Sequence, residues 1–293
     1  MGWRVVYIEE SQRLSLYLDN LKVHLNEDQE ILIPLKDINS LICDNYKMTM
    51  TVQLLNQCAE NNINVVICGI DHQPKMMMIP HSAHHTMSLV LRKQINWDDA
   101  KRQLLHQQII QCKILNQVRL LKLKLIDDSR LVRIESFISE VEPGDPGNRE
   151  GLAAKMYFNL MFGSDFIRFE SDPVNAGLNY GYAILRSQIS KIIYSKGLNA
   201  SIGIFHKGPS NMFNLSDDII EPFRPIIDSY VYDHLRLANE FNATHRKDLI
   251  RLTTEKISIN NQSHTIFNAM NIMIESIIKY FDDDSPISLP IIV

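Results

Sequence analysis

Leu14, Leu16 and Leu18 alternate with polar residues, and the alternation resumes after Asp19-Asn20 at Leu21, Val23 and Leu25. Successive side chains of a strand point to opposite faces, so this pattern predicts a hairpin with one buried face and a two-residue turn at Asp19-Asn20. Val5 to Ile8 before it and Ile31 to Ile33 after it extend the sheet. Val52, Leu55, Cys58 and Ala59 fall on one face of a short helix that Asn61-Asn62 stops. Val65 to Cys68 reads as an apolar strand ending at Gly69. The Met-rich run from Lys75 to Ile79 reads as strand packing, not as a cofactor box. Pro80 to His85 has the composition of a linker.

From about residue 86 the period becomes helical. Ile114, Val118, Leu121 and Leu125 recur at helical spacing, with Arg119, Lys122 and Lys124 over the remaining surface. Gly144-Asp145-Pro146-Gly147 predicts a turn, and Asn148 a cap for a helix running to about Phe162. Leu178, Tyr182, Leu185 and Ile189 form the next stripe, edged by Asn175, Asn179 and Arg186 as side chains lining a site would be. The last third reads as further helices. The expected class is α+β, with a small β-rich domain at 1–80 followed by a larger all-α catalytic domain at 81–293.

The chain has 293 residues, 45% hydrophobic and 22% charged, which is ordinary globular usage and excludes a disordered or collagen-like chain. The start lacks the basic and apolar regions of a signal peptide, and nowhere do ~18 apolar residues run together, so no membrane association is expected. Cys43, Cys58, Cys68 and Cys112 form no CxxC pair and sit in apolar surroundings. They read as buried reduced thiols of a cytoplasmic protein. The net charge of -4 is uneven: residues 86–134 carry ten basic side chains against four acidic ones, a local balance of +6. Such a stretch is either a footprint for nucleic-acid phosphates or a solvated helix face with no partner.

The densest polar cluster runs from Phe205 to Pro225. A helical wheel from Ser216 puts Asp217, Glu221, Arg224 and Asp228 on one face and Ile219, Ile220, Phe223, Ile226 and Ile227 on the other. Pro222 would kink an unbroken helix, which suggests a restart with Glu221 as its cap. Glu150 lies in the first turn after Asn148, where the helix dipole favours its charged form, although most first-turn acids bind nothing. His206 follows the apolar approach Ile202-Gly203-Ile204-Phe205 and reads as a ligand or as a satisfied structural histidine. His81, His84 and His85 sit in the linker with no carboxylate nearby in sequence and receive no role. Asp282-Asp283-Asp284 reads as a solvated tail. Pattern and spacing reach a carboxylate–imidazole metal site in a protein with a basic patch, and choose no reaction.

Gly147-Asn148-Arg149-Glu150-Gly151, Leu178-Asn179-Tyr180-Gly181-Tyr182-Ala183-Ile184-Leu185-Arg186, Ile202-Gly203-Ile204-Phe205-His206 and Asn214-Leu215-Ser216-Asp217-Asp218-Ile219-Ile220-Glu221-Pro222-Phe223-Arg224-Pro225 together resemble the CRISPR-associated protein one family. Its members are the integrases of CRISPR adaptation, and the length and first-domain pattern resemble the type II branch. The resemblance covers nearly the whole chain. It implies a divalent metal held by Glu150, His206 and Glu221, with Asp218, or Asp217, as the alternate to Glu221. Imidazole among the ligands suits Mn²⁺ at least as well as Mg²⁺. Asn211 or Asn214 would orient the ligands, and Lys207 and Arg224 would contact phosphate.

The implied reaction is attack of a 3′-hydroxyl of incoming spacer DNA on a phosphodiester of the CRISPR repeat. Arg119, Lys122, Lys124 and Arg186 would join Lys207 and Arg224 in holding DNA without reading its sequence. The implied partners are a second copy in a homodimer built on the N-terminal sheet, the small companion adaptation protein in a heterohexamer, and the type II effector nuclease. Two other readings of the same residues are a metal-dependent nuclease that uses water instead of the 3′-hydroxyl, and a non-catalytic DNA-binding scaffold.

Overall fold

A computed structural model describes residues 2, 4–11, 13–25, 29–78, 80, 84–126 and 129–292. The chain divides into two compact units, residues 1–87 with 194–197, and residues 88–193 with 198–293. His81, and Ile79 of the Met-rich run, lie outside the described residues.

The first unit comprises β1 (Arg4–Ile8), β2 (Arg13–Tyr17), β3 (Asn20–His24), β4 (Glu30–Pro34), β5 (Ile38–Cys43), β6 (Thr49–Met50), α1 (Val52–Glu60), β7 (Asn64–Cys68) and β8 (Pro74–Met78). The strands make two sheets where the sequence suggested one. β1 leaves the hairpin and pairs in parallel with β5, giving the order β1-β5-β7-β8, while β4-β3-β2-β6 form the other. Both contribute to one core, in which Val6, Leu14, Leu21, Val23, Leu41, Leu54, Cys58 and Val65 are buried. The hairpin turn lies one residue earlier than expected, at Leu18-Asp19, with φ of 45° and 60°. Asn20 instead begins β3, and its side-chain amide donates to the Tyr17 and Leu18 carbonyls at 3.2 and 2.6 Å. Positive φ at both positions is the type I′ form of a two-residue hairpin loop, and this clasp holds it there. Thr51 caps α1 through Leu54 N–H at 3.3 Å. The buried face of α1 is Leu54 and Cys58, leaving Val52 exposed.

Apart from the first residue of α2 and the last two of α6, the second unit comprises α2 (Met87–Ile95), α3 (Asp99–Leu123), α4 (Arg130–Glu140), α5 (Arg149–Phe162), α6 (Pro173–Ser195), α7 (Asn214–Ile220), α8 (Arg224–His234), α9 (Ala243–Arg251), β9 (Lys256–Ile259), β10 (Gln262–Thr265), α10 (Ile266–Asp283) and β11 (Pro290–Ile291). It is mostly helical, but the last third also folds a three-stranded sheet, β10-β9-β11. Helical spacing hides so short a hairpin, whose turn at Asn260-Asn261 again has positive φ at both residues. Ile114, Val118 and Leu121 are buried along α3, whereas Leu125 lies beyond its end with φ 54° and is exposed. There Ile126 N–H bonds Leu121 O at 3.0 Å, closing the helix around a left-handed residue.

The final aspartates are not a free tail. Asp282 pairs with Lys93 at 2.8 Å and Asp284 with Lys101 at 2.5 Å, tying the end of α10 to α2 and α3. All four cysteines are buried thiols outside any disulfide. Among the described residues, no helix is long and apolar enough to cross a membrane.

α6 lies close against α8 because Gly177 and Gly181 face it. A Cβ on Gly181 would overlap Ile227, and one on Gly177 would overlap Leu235. Overpacking a finished contact costs roughly 1–3 kcal/mol. Gly181→Ala is therefore expected to lower the unfolding free energy by about that amount in urea titration, and unchanged stability would show the contact to be loose.

Candidate active site

Glu150 is placed by the way α5 begins. Asn148, with φ 48°, accepts Gly151 N–H at 3.3 Å, and the two oxygens of Asp145 accept Arg149 N–H and Glu150 N–H at 2.9 Å each. These side chains satisfy amides that a helix start leaves unpaired, so the Glu150 carboxylate is not spent on capping. It instead reaches Lys113 of α3, with Oε1 2.6 Å from Nζ. Glu221 opens a 3-10 turn, Glu221–Phe223, between α7 and α8. It is a helical residue and not the cap that the sequence suggested: the chain runs through Pro222 by tightening into 3-10 geometry rather than by restarting. Asn116 of α3 donates to the Pro222 carbonyl at 2.9 Å and so fixes the turn.

Glu221 Oε2 lies 2.5 Å from the same Lys113 ammonium, and its Oε1 accepts Arg224 Nε at 2.9 Å. Two carboxylates 71 positions apart thus converge on one buried cation. Burial opposes charge on Glu221, yet Arg224 and Lys113 outweigh it and hold its carboxyl at about 2. Burial likewise opposes the charge on Lys113, and Glu221 and Glu150 outweigh it, raising its pKa.

His206 is held by Asp218, which is fully buried. Asp218 Oδ1 accepts His206 Nδ1 at 2.7 Å and His206 N–H at 3.1 Å, while Oδ2 accepts Ile204 N–H at 2.5 Å and Phe205 N–H at 3.1 Å. The contact to a carboxylate assigns the proton of the neutral ring to Nδ1 and leaves the lone pair on Nε2. Both Asp218 oxygens are committed to this loop, whereas Glu221 is the acid turned toward Glu150. The hydrogen bond to Asp218 raises the His206 pKa, against a smaller opposing effect of burial. Phe205 stacks on buried His106 of α3, with centroids 3.8 Å apart and planes 14° apart. Burial depresses the pKa of His106, against smaller opposing effects of Glu150 and Asp218.

Behind Glu221, Asp228 is buried instead of lining the polar face drawn by the helical wheel. It accepts Tyr157 OH at 2.8 Å and also Tyr182 OH, and burial pushes its pKa up to about 6. Arg224 lies over the Tyr182 ring at 4.5 Å. Asn175 and Asn179 are both engaged by Arg168, accepting from it at 2.8 Å each, and Asn175 is fully buried.

The remaining sequence candidates are spread around this centre. Asn211 donates to Asp217 at 2.8 Å, and Asp217 lies 3.7 Å from Arg186. Asn214 bonds Ser201 O and Gly208 O at 3.0 Å each, so it pins the loop carrying His206 and does not touch Glu150 or Glu221. Lys207 is exposed, with no acidic partner among the described residues. Arg119 donates to the Ile292 carbonyl at 2.9 Å, Lys122 pairs with Glu135 at 3.0 Å, and Lys124 with Asp233 at 2.5 Å. Sequence reasoning missed Lys113 and His106, and put Asp228 on the wrong side of its helix. Lys113 carried a signal: a charge two helical turns after His106, among Ile109, Ile110, Cys112 and Ile114, stands on a face that otherwise reads as core.

Among the described residues, no three His, Cys, Asp or Glu side chains are close enough together to hold a metal ion as they stand. The donors nonetheless suit a hard divalent cation in kind. Glu150 and Glu221 already share a cation, and Glu221 Oε2 makes no hydrogen bond beyond its ion contact with Lys113.

A family model described as CRISPR associated protein Cas1 matches residues 6–260. The CRISPR-associated endonuclease Cas1 of Neisseria meningitidis serogroup C is 33% identical, the match covering 94% of this chain and 91% of that one. In fold, the chain is similar to a casposase bound to integration product, with TM-score 0.78 at 18% identity over 97% of this chain and 92% of that one. It is also similar to a chain of a Cas6-RT-Cas1–Cas2 complex, with TM-score 0.74 at 19% identity over 97% of this chain and 35% of that one.

Because the folded-state pKa of His206 is raised, its bond to Asp218 stabilises the fold below the ordinary histidine value and fades as pH rises through the folded value. Asp218→Asn should bring the His206 titration, read from its Cε1 proton by NMR, back to or below the ordinary value. A titration unmoved by that change would refute the assignment of Asp218 as its cause.

Proposed function

The chain belongs to the CRISPR-associated Cas1 family, and from that premise we propose that it is the DNA integrase of spacer acquisition. The reading rests above all on Glu150 and Glu221 meeting at one buried cation, with His206, held by Asp218, near enough to Glu221 to feel its charge. In the proposed reaction, the 3′-oxygen of incoming DNA forms a bond to a repeat phosphorus. The bond from that phosphorus to the 3′-oxygen of the repeat strand breaks, and the attacking hydroxyl gives up the proton that the leaving oxygen gains. One phosphodiester replaces another, so no external energy source is needed.

Glu150, Glu221 and His206 Nε2 would hold Mn²⁺ or Mg²⁺. When bound, the ion supplies polarisation of a phosphoryl oxygen and offsets the charge of the transition state. Asp218 keeps the His206 proton on Nδ1, and Arg224 keeps Glu221 ionised and aimed. Lys207, Arg186 and Arg224 would contact phosphates near the centre, and Arg119, Lys122 and Lys124 would bind duplex after exchanging their internal partners. We further assign the N-terminal β-rich unit to homodimer formation, and Cas2 and the type II effector nuclease as partners. The structural relative whose name includes Cas2 is in keeping with the first of these.

Glu150→Ala, His206→Ala and Glu221→Ala should each abolish Mn²⁺-dependent joining of a 3′-hydroxyl duplex to a repeat-bearing plasmid while DNA binding persists. Cutting without joining in the unaltered protein would favour the nuclease reading, and full joining in any variant would remove that residue from the site. Replacing Lys122 and Lys124 with Ala should flatten the plot of log affinity for DNA against log salt by about 2. An unchanged slope would place the duplex elsewhere.

A further inference from the structure

We infer that Lys113 is the resident counter-cation of the Glu150–Glu221 pair, and that a divalent cation enters this site by displacing its ammonium. The inference rests on the metal-dependent reading above and concerns what that ion meets on arrival. Lys113 projects from α3 into a position where its only partners among the described residues are the two carboxylates, at 2.6 and 2.5 Å. Its side chain is 9% exposed, so water contributes little to neutralising the pair.

The charges decide which group must move. Of the groups in direct contact, Glu150 and Glu221 carry two negative charges and Lys113 and Arg224 two positive ones, and the buried Asp228 carboxyl stands behind them as a third acid. A divalent cation added with both side-chain cations in place would bring positive charge in excess of these acids into a site of low exposure, which is costly. Arg224 is the better anchored of the two cations. It meets the other Glu221 oxygen through Nε and packs over Tyr182, whose hydroxyl is held by buried Asp228. Lys113 has no comparable second support, and its four-carbon stem lets the ammonium swing away while the backbone of α3 stays fixed. Without the divalent ion, the ammonium prevents two carboxylates from facing each other unscreened. With it, the ammonium becomes a competitor.

The test uses the full chain, freed of metal and without DNA, in two measurements. Calorimetric titration with Mn²⁺ compares the unaltered protein with Lys113→Met, which keeps the length and packing of the side chain but removes its charge. Lys113→Met is expected to bind Mn²⁺ about tenfold or more tightly, a difference of about 1.4 kcal/mol. Binding by both proteins with no gain in Lys113→Met would overturn displacement and leave the metal site standing. Absence of Mn²⁺ binding by either would overturn the metal reading and this inference with it.

The second measurement is metal-free denaturant unfolding of Lys113→Met, Glu150→Gln and the double variant. If Lys113 offsets carboxylate repulsion, Lys113→Met is the least stable, and adding Glu150→Gln recovers part of the loss. Losses that simply add would overturn the counter-cation role. The double variant, with one acid and one ammonium both neutralised, gives this reading even where Lys113→Met alone folds poorly.

Discussion

Two carboxylates brought together inside a protein repel one another unless a cation stands between them. In this chain that cation is carried by α3, the long helix around which α4, α5, α8 and the Glu221 turn are packed. Lys113 therefore links the first turn of α5 to the 3-10 turn after α7, and Asn116, less than one turn further on, fixes that second element by its carbonyl. The order of the helices is thus read out chemically at one place. Any shift of α5 or of the turn against α3 would leave a buried charge without its partner, a far larger cost than a lost surface ion pair.

Around this centre the polar groups are arranged in layers that each constrain the next. Asp218 commits both oxygens to the Ile204–His206 loop, and stacking of Phe205 on His106 returns that loop to α3. Asp228 fixes two tyrosine hydroxyls, and one of those rings supports Arg224, which in turn holds Glu221. The close approach of α6 to α8 at Gly181 brings Tyr182 within reach of that network. Preorganisation of this kind lets reacting groups be held without rearrangement when charge develops.

The basic stretch at 86–134 finds most of its counter-charge within the fold. Lys93, Lys101, Lys113, Lys122, Lys124 and Arg133 all pair with acids, and most of those acids lie in later segments of opposite charge balance. The local excess is therefore largely the complement of an acidic remainder of the chain. Lys122 and its partner are both about half exposed, so that pair can open to a phosphate at small cost, whereas the Lys113 cluster cannot.

Local order was legible in the residues themselves. The hairpin, the strand ending at Gly69, the Asn148 cap and the helical stripes follow from periodicity and from residues that can adopt left-handed or capping geometry, and these properties act over a few neighbours. Burial of the four cysteines followed equally from their apolar surroundings. The family motifs implied Glu150, His206 and Glu221 as a set. What the order of residues could not decide was which charges meet. The division of the strands into two sheets, the choice of Asp218 over solvent as the partner of His206, the burial of Asp228, and the placing of Lys113 between two acids all depend on contacts between distant segments. Coulomb attraction and desolvation act on distances through space, and those distances exist only once the helices have packed.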